Sequence, residues 1–255
     1  MNKKKLIKAI IWPILYIVLV ATVCINAVLV FRSYYYTPIY ISGRSMMPTL
    51  KGDSEMVDYG IIDTHSYAIN DMVKNKKRFK IITTYYPFST GSSSDYVGGY
   101  VPGGENEVSE NASYKIKRVY AFPGEVFKFE ADVEHNSVNF YVKDADDIRS
   151  WENILPQKIK FNRTINLAIK GANYYNYEHL TPLEENEFWV MGDNYTASSD
   201  CYSYKKPIYL DNIVGILIAI EGQCKISQKH VSEDDGTHIS ATCTNRKRYA
   251  WPKYY

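Results

Sequence analysis

The segment 41–50, ISGRSMMPTL, places a serine among residues that restrict a turn. Gly43 frees the backbone just before Ser45, and Pro48 stiffens the chain after it, so we expect the Ser45 hydroxyl on a fixed loop behind a strand. A fixed hydroxyl suits a nucleophile. The same residue types are also common in ordinary loops. Ser45 is therefore a candidate for catalysis only if the chain supplies a base.

A serine hydroxyl is a poor nucleophile until a base takes its proton. The five histidines are scattered, so the base is expected to be a lysine. In the run 114–121, YKIKRVYA, strand alternation sends Lys115 and Lys117 to one face and does not choose between them. The amine must be nearly buried and away from carboxylates, because an ordinary lysine pKa of about 10.4 leaves it protonated at neutral pH.

The rest of the composition favours neither a metal enzyme nor a nucleic-acid binder. There is no CxxC motif and no His/Cys cluster with zinc spacing, so no metal or other cofactor is expected. The formal net charge of +2 leaves no basic stripe for nucleic acid. Cys224 and Cys243 flank a polar loop and could pair across it, although the sequence does not show that they come close enough.

An uninterrupted apolar run covers residues 9–31 and carries no charge. At a rise of about 1.5 Å per residue, it is long enough to cross about 30 Å of hydrocarbon as a helix. Four lysines precede it within residues 1–8, which predicts a single-pass protein of the cell (inner) membrane with a cytoplasmic N-terminus and an extracytoplasmic remainder. A cleaved signal peptide is the alternative, but the run exceeds a usual signal core and no small-residue cleavage site closes it.

Beyond the apolar run, short β-rich segments alternate with turn signals, which predicts a mostly β domain. The segments are 37–42, 79–86, 114–121, 126–130, 138–142, 187–191 and 213–220. The stretch 67–77 fits a short helix. The polar, turn-rich stretch 88–113 is expected to be an exposed loop or hairpin insert.

Three ordered segments of this chain resemble the boxes of the bacterial type I signal peptidases, membrane-anchored serine peptidases that remove signal peptides from exported preproteins. Residues 42–53 resemble the box with the nucleophile, and residues 117–125 resemble the box with a lysine base. Residues 191–200, MGDNYTASSD, resemble the Gly-Asp-Asn box. The order of the boxes and the preceding apolar run extend the resemblance to the whole chain.

The resemblance implies a role for each matching residue. The nucleophile is Ser45 and the general base is Lys117, since the base in the family directly precedes the arginine. Ser198 is expected to hydrogen-bond the lysine amine and orient it. The backbone N–H of Ser45 is expected in the oxyanion hole, where some members add a hydroxyl at the position of Gly43. The remaining supporting residues are Asp193, Asp200 and Arg118, with the arginine paired to one of the two carboxylates and neither carboxylate touching Lys117.

The resemblance also implies an architecture. We expect a basic N-terminus at 1–8, a transmembrane anchor at 9–31, a catalytic β-domain at 32–125 and 186–255, and an inserted smaller β-subdomain at 126–185. The strand 79–86 is expected to form part of the substrate wall and to pair with an extended substrate.

The implied function is a membrane-bound endopeptidase that removes N-terminal signal peptides, with small residues before the cleavage site. Its partners are then preproteins and the lipid bilayer. Two alternatives remain: a Ser/Lys peptidase dedicated to one exported substrate, and an inactive, membrane-tethered module that binds peptides.

The chain departs from the family pattern inside the Gly-Asp-Asn box. Tyr195 and Tyr202 stand where many relatives carry arginine, and Cys201 stands where serine is common. A supporting ion pair is therefore expected to be missing, while the residues assigned to the chemistry are all present.

Overall fold

The computed structural model describes residues 3–41, 43–52, 56–85, 114–135, 137–149, 171–229 and 240–254. The chain divides into two compact units, Met1–Thr37 and Pro38–Tyr255. The predicted insert at 88–113 lies outside the described residues.

The first unit contains a helix, α1, over Lys3–Tyr35. Within it, Ile11–Phe31 is long and apolar enough to cross a membrane, with a mean hydropathy of 2.7. The helix extends past both ends of the predicted anchor at 9–31. Pro13 lies inside it, beyond its first turn, and removes one intrahelical hydrogen bond.

The second unit is built mainly of β-strands, which confirms the predicted fold class. Its strands are β1 (Tyr36–Tyr40), β2 (Met56–Asp63), β3 (Ile81–Tyr85), β4 (Tyr114–Ala121), β5 (Glu125–Asp132), β6 (Ser137–Asp144), β7 (Tyr177–His179), β8 (Glu187–Met191), β9 (Ile208–Tyr209), β10 (Ile213–Lys229) and β11 (Ser240–Tyr254). Among the described residues, three short α-helices accompany them: α2 (Ser66–Lys74), α3 (Ala172–Tyr175) and α4 (Cys201–Tyr204).

The larger sheet has eight strands in the order β1-β2-β10-β3-β4-β8-β9, with β11 paired to β10. Pro38 lies in β1, at the edge of this sheet, where its missing N–H breaks no ladder. The long strand β10 pairs antiparallel with β2, β3 and β11. It therefore connects elements from both ends of the second unit.

The smaller sheet has the order β6-β5-β7. It falls almost entirely within 126–185, the segment for which an inserted subdomain is predicted. An aromatic cluster packs on it, in which Phe127 contacts Trp189 of the larger sheet with ring centroids 4.9 Å apart. Phe129 and Phe140 face each other across β5 and β6 at 4.8 Å. Aromatic packing of this kind stabilises the junction beyond its buried area.

The predicted short helix at 67–77 is close to α2, which ends three residues earlier. Its N-cap is His65, whose Nδ1 accepts a hydrogen bond from the backbone N–H of Tyr67. Met72 is its buried residue and packs in the main core with Ile82. The helix thus packs on the sheet against β10.

A buried ion pair ties the connection after α2 to the turn between β4 and β5. Both guanidinium nitrogens of Arg78 donate to the carboxylate of Glu125, at 2.7 and 2.8 Å. The carboxylate also accepts the backbone N–H of Phe122, and Arg78 donates to the carbonyl of Tyr120. Because Glu125 is almost fully buried, this network depends on both partners.

We expect Arg78→Ala to lower the free energy of unfolding by about 3 kcal/mol, because it removes the bidentate partner of the buried Glu125 carboxylate and leaves only the half-exposed Lys76 amine at 3.3 Å. Denaturant unfolding of the full chain in detergent measures this. The matched control is Arg149→Ala, since Arg149 pairs with Asp147 at the surface and its side chain is 66% exposed. Equal losses for the two variants would contradict the structural role given to Arg78.

Candidate active site

Ser45 lies in the loop between β1 and β2. Two glycines fix the loop: Gly43 has φ of +90°, and its N–H donates to the carbonyl of Gly52 at 2.6 Å. A β-carbon on Gly52 would overlap the carbonyl oxygen of Gly43, so the close approach requires glycine there. Asp58 of β2 reinforces the loop by accepting the N–H of Lys51. The half-buried Ser45 is therefore held by backbone on both sides.

Lys117 lies in β4, opposite Ile82 of β3. Its amine Nζ is 3.2 Å from Ser45 Oγ and 3.2 Å from the carbonyl oxygen of Ile116. The residue is 2% exposed. Burial lowers the pKa of Lys117 to about 8, with the charge of Asp200 opposing and that of Lys115 assisting. Of the two lysines that the strand pattern left open, the structure brings Lys117 to the serine.

The neighbouring Arg118 is equally buried but has a partner. Its Nε and Nη2 donate to the two carboxylate oxygens of Asp193, at 2.8 and 2.6 Å. Its Nη1 donates to the carbonyl of Phe79 at 2.7 Å. The predicted pairing of Arg118 with one of the two carboxylates is thus formed, and the partner is Asp193.

Thr49 adds a third member to this pair. Its hydroxyl donates to Asp193 at 2.5 Å, which joins the loop of Ser45 to the segment after β8. Thr49 lies within the segment that resembles the nucleophile box, but that resemblance assigns it no role. A hydroxyl four residues beyond the serine was the available signal, but its partner, 144 positions along the chain, could not be read from it.

The segment after β8 also holds Ser45 directly. The N–H of Asn194 donates to the carbonyl oxygen of Ser45 at 2.9 Å. The N–H of Gly192 donates to Asp200 at 2.8 Å, and Asp200 also caps α4 by accepting the N–H of Tyr202. Burial raises the pKa of Asp200. Asp193 and Asp200 therefore act on the loop conformations, and neither forms an ion pair with Lys117 among the described residues.

The predicted hydrogen bond from Ser198 to the lysine amine is not among the contacts of the described residues, and the role of Ser198 stays a prediction. The amine of Lys117 contacts Ser45 and the carbonyl of Ile116 instead. The Ser198 hydroxyl is buried and lies near the Asp200 carboxylate, where it opposes the rise that burial causes in the pKa of Asp200. It lies beside Gly192, where an added β-carbon would overlap both this hydroxyl and the carbonyl oxygen of Ser45. Ser198 is thus close to the serine loop.

The backbone N–H of Ser45, predicted for the oxyanion hole, donates to no acceptor in the described part of the chain. A backbone donor left open beside a candidate nucleophile can hold a developing oxyanion. Gly43 has no side chain that could donate a hydrogen bond, and its backbone N–H donates to the carbonyl of Gly52.

The residues that depart from the family pattern form part of the aromatic core. The ring of Tyr195 meets those of Tyr175 and Tyr202 edge-on, at 6.0 and 5.8 Å. The hydroxyl of Tyr202 donates to the carbonyl of Tyr174. Cys201 is a free, buried thiol that accepts the N–H of Val190 at 3.4 Å. Packing between rings occupies the place where relatives carry arginines.

Cys224 is disulfide-bonded. This agrees with the pairing to Cys243 considered from the sequence, since Cys24 and Cys201 are both free. In the ladder of β10 and β11, Cys243 pairs with Ile226, two residues from Cys224.

The expected substrate edge on β3 is wrong. β3 pairs with β4 along its whole length and with β10 from Ile82 to Thr84, so both of its edges are occupied. The open edge is on β4, where the ladder with β8 begins only at Arg118. The first half of β4, residues 114–117, faces no other strand on that side in the part of the chain that the structure describes. The sequence showed strands but not their order.

Among the described residues, no group of three or more His, Cys, Asp or Glu is placed to hold a metal ion. A serine hydroxyl in hydrogen-bond reach of a buried lysine amine, on a β-sheet, is the arrangement of serine hydrolases that use lysine in place of histidine.

The family model described as signal peptidase, peptidase S26, matches residues 11–220, well over half of the chain, and the chain belongs to this family. No curated protein matches the chain in a sequence comparison. The family identifies a serine peptidase of the signal peptidase kind, whose substrates are signal peptides.

We expect Gly192→Ala to lower cleavage of a signal-peptide substrate by about 100-fold, because the methyl group displaces the carbonyl of Ser45. Steady-state kinetics measure this. The control is Gly171→Ala, where the added carbon meets open space, so only stability is expected to fall. Unchanged kinetics in Gly192→Ala would show that the Ser45 loop is not held there.

Lys117→Met is expected to stabilise the protein below pH 8 while abolishing cleavage. The pKa of Lys117 falls from 10.5 to about 8 on folding, so the unfolded chain binds more protons between these values and stability rises with pH across that window. Below pH 8 the buried amine costs folding about 3 kcal/mol, which methionine relieves. Thermal unfolding at pH 6.5 and pH 10.5 checks this, with the gain expected only at the lower pH.

Proposed function

We propose that this protein removes N-terminal signal peptides from exported preproteins, with Ser45 as nucleophile and Lys117 as general base. The observation that supports this most is the 3.2 Å separation between Lys117 Nζ and Ser45 Oγ, with the amine buried and its pKa lowered to about 8. A neutral amine at that distance can take the hydroxyl proton.

In the proposed acylation step, Lys117 takes the proton of Ser45 as Oγ attacks the carbonyl carbon of the cleaved bond. The resulting oxyanion accepts a hydrogen bond from the backbone N–H of Ser45. The protonated amine then gives its proton to the leaving nitrogen, and the C–N bond breaks. The N-terminal part stays on Ser45 as an ester. Lys117, neutral again, activates the water that hydrolyses this ester.

The supporting residues keep the two reacting groups in place. Arg118 and Asp193 fix β4 against the loop after β8, and the N–H of Asn194 holds the carbonyl of Ser45. We assign Ser198 to the orientation of the lysine amine during the reaction, because its buried hydroxyl lies beside Gly192, close to the carbonyl of Ser45.

We propose that the substrate binds as an extended strand along residues 114–117 of β4, the edge left open before β8 begins. The family resemblance implies small side chains before the cleaved bond, and such side chains let the substrate backbone approach the sheet closely.

The candidate span Ile11–Phe31 supports a single-pass membrane anchor. We propose that residues 1–8 are cytoplasmic, that the β-rich unit lies on the opposite side of the cell membrane, and that 126–185 forms an inserted subdomain of the catalytic domain. Lysines on the N-terminal side of the span support this orientation.

The deciding experiment is cleavage of a preprotein with an Ala-x-Ala site by the full chain in detergent. We expect the wild-type rate to rise with pH through about 8, because only the neutral Lys117 accepts a proton. Ser45→Ala and Lys117→Ala are each expected to lose about 1,000-fold or more. Substantial cleavage by either variant would exclude the proposed mechanism.

Two further outcomes separate the alternatives. A folded wild-type protein that binds signal peptides but cuts none would be a binding module. A panel of preproteins distinguishes a general signal peptidase, which cuts many of them, from a peptidase dedicated to one exported substrate.

A further inference from the structure

Two exposed cations stand beside the Ser45–Lys117 pair. Arg44 directly precedes Ser45, and Lys115 precedes Lys117 by two residues on the same face of β4. Neither Arg44 nor Lys115 forms an ion pair with any described residue. They differ in this from Arg118, whose charge is neutralised by Asp193.

Lys115 lies on the open part of β4, opposite Thr84 of β3. Two residues along a strand span about 6.6 Å, so a lysine side chain there reaches any chain paired to the edge beside Lys117. Its charge is close enough to act on Lys117, whose pKa it helps to lower. Lys115 therefore places positive charge beside the path proposed for an extended substrate, and Arg44 is an exposed cation directly before Ser45 in the chain.

We infer that Arg44 and Lys115 form a specificity site that selects substrates with an acidic side chain close before the cleaved bond. This inference deepens the proposed function and rests on it. Residues before the cleaved bond are the ones concerned, because they remain on Ser45 as the ester while the rest of the substrate leaves. If the strand edge holds the substrate through both acylation and ester hydrolysis, it must bind the residues before the cleaved bond.

Charge complementarity at a solvent-exposed site gives selectivity of a limited size. An acidic side chain is expected to raise kcat/KM about fivefold over its neutral amide counterpart, and most of this difference should vanish in about 1 M salt, where the Debye length is about 3 Å. Asparagine is the matched counterpart of aspartate, since the two have nearly the same shape.

An anionic lipid headgroup offers the same chemistry to exposed cations. The peptide is favoured because Lys115 lies on the open strand edge, where an extended chain pairs its backbone, within two residues of the amine that faces Ser45. Binding of an anionic lipid at this site is therefore one of the results that the test distinguishes.

The test uses the full chain in non-ionic detergent and pairs of fluorogenic peptides with Asp or Asn at each position from four before to two after the cleaved bond. We expect a higher kcat/KM for Asp at one or more positions before the bond. Lys115→Gln and Arg44→Gln should bring this ratio towards one. Lys115→Glu should reverse it, so that a peptide with Lys at that position is preferred.

Lys74→Gln is the matched control, because Lys74 is an exposed lysine at the end of α2 and is expected to leave the ratio unchanged. Equal rates for Asp and Asn peptides at every position, or a ratio that survives both Lys115→Gln and Arg44→Gln, would overturn the inference. So would a ratio of one accompanied by activation with phosphatidylglycerol vesicles that requires Lys115, which would assign the site to lipid.

Binding separates this inference from the proposed function. Fluorescence anisotropy of the same labelled peptides with the Ser45→Ala protein measures the charge preference without cleavage. Preference for Asp in binding, with no cleavage by the wild type, would uphold the charge site and reject the peptidase. Cleavage of the Asn peptides with no preference in either measurement would uphold the peptidase and reject the charge site.

Discussion

The buried ion pair between Arg118 and Asp193 joins the strand that carries Lys117 to the segment after β8. Thr49 attaches the loop of Ser45 to the same carboxylate. Three stretches that are far apart in the chain therefore meet at one charge pair, and the distance between Ser45 and Lys117 depends on it. Removing either charge would leave the other buried, which costs far more than a surface pair would.

Lys117 and Arg118 are adjacent and both buried, yet their surroundings differ. Arg118 is in bidentate contact with the carboxylate of Asp193, whereas among the described residues no carboxylate contacts the amine of Lys117, whose pKa burial lowers. Strand alternation gives this arrangement, because consecutive residues of β4 point to different surroundings. Two adjacent residues of β4 therefore have different electrostatic surroundings: Arg118 is paired with a carboxylate, and Lys117 is buried beside Ser45.

The class of fold and the pair Ser45 and Lys117 could be predicted because strand patterns and family boxes are local in sequence. Strand periodicity alone could not choose Lys117 over Lys115, since both lie on one face, and the resemblance was needed. The open edge was assigned wrongly to β3, because the order of strands in a sheet is set by long-range pairing. The same reason hid Thr49 and the contact between Arg78 and Glu125.

The position of β10 in the sheet affects how the chain folds. β10 lies between β2 and β3, so the strands β1 and β2 around the Ser45 loop have no ladder to β3 and β4, the strand of Lys117, until residues after 213 are available. Contacts of such high sequence separation make folding slow. During its synthesis the chain therefore carries Ser45 and Lys117 long before the two side chains can meet.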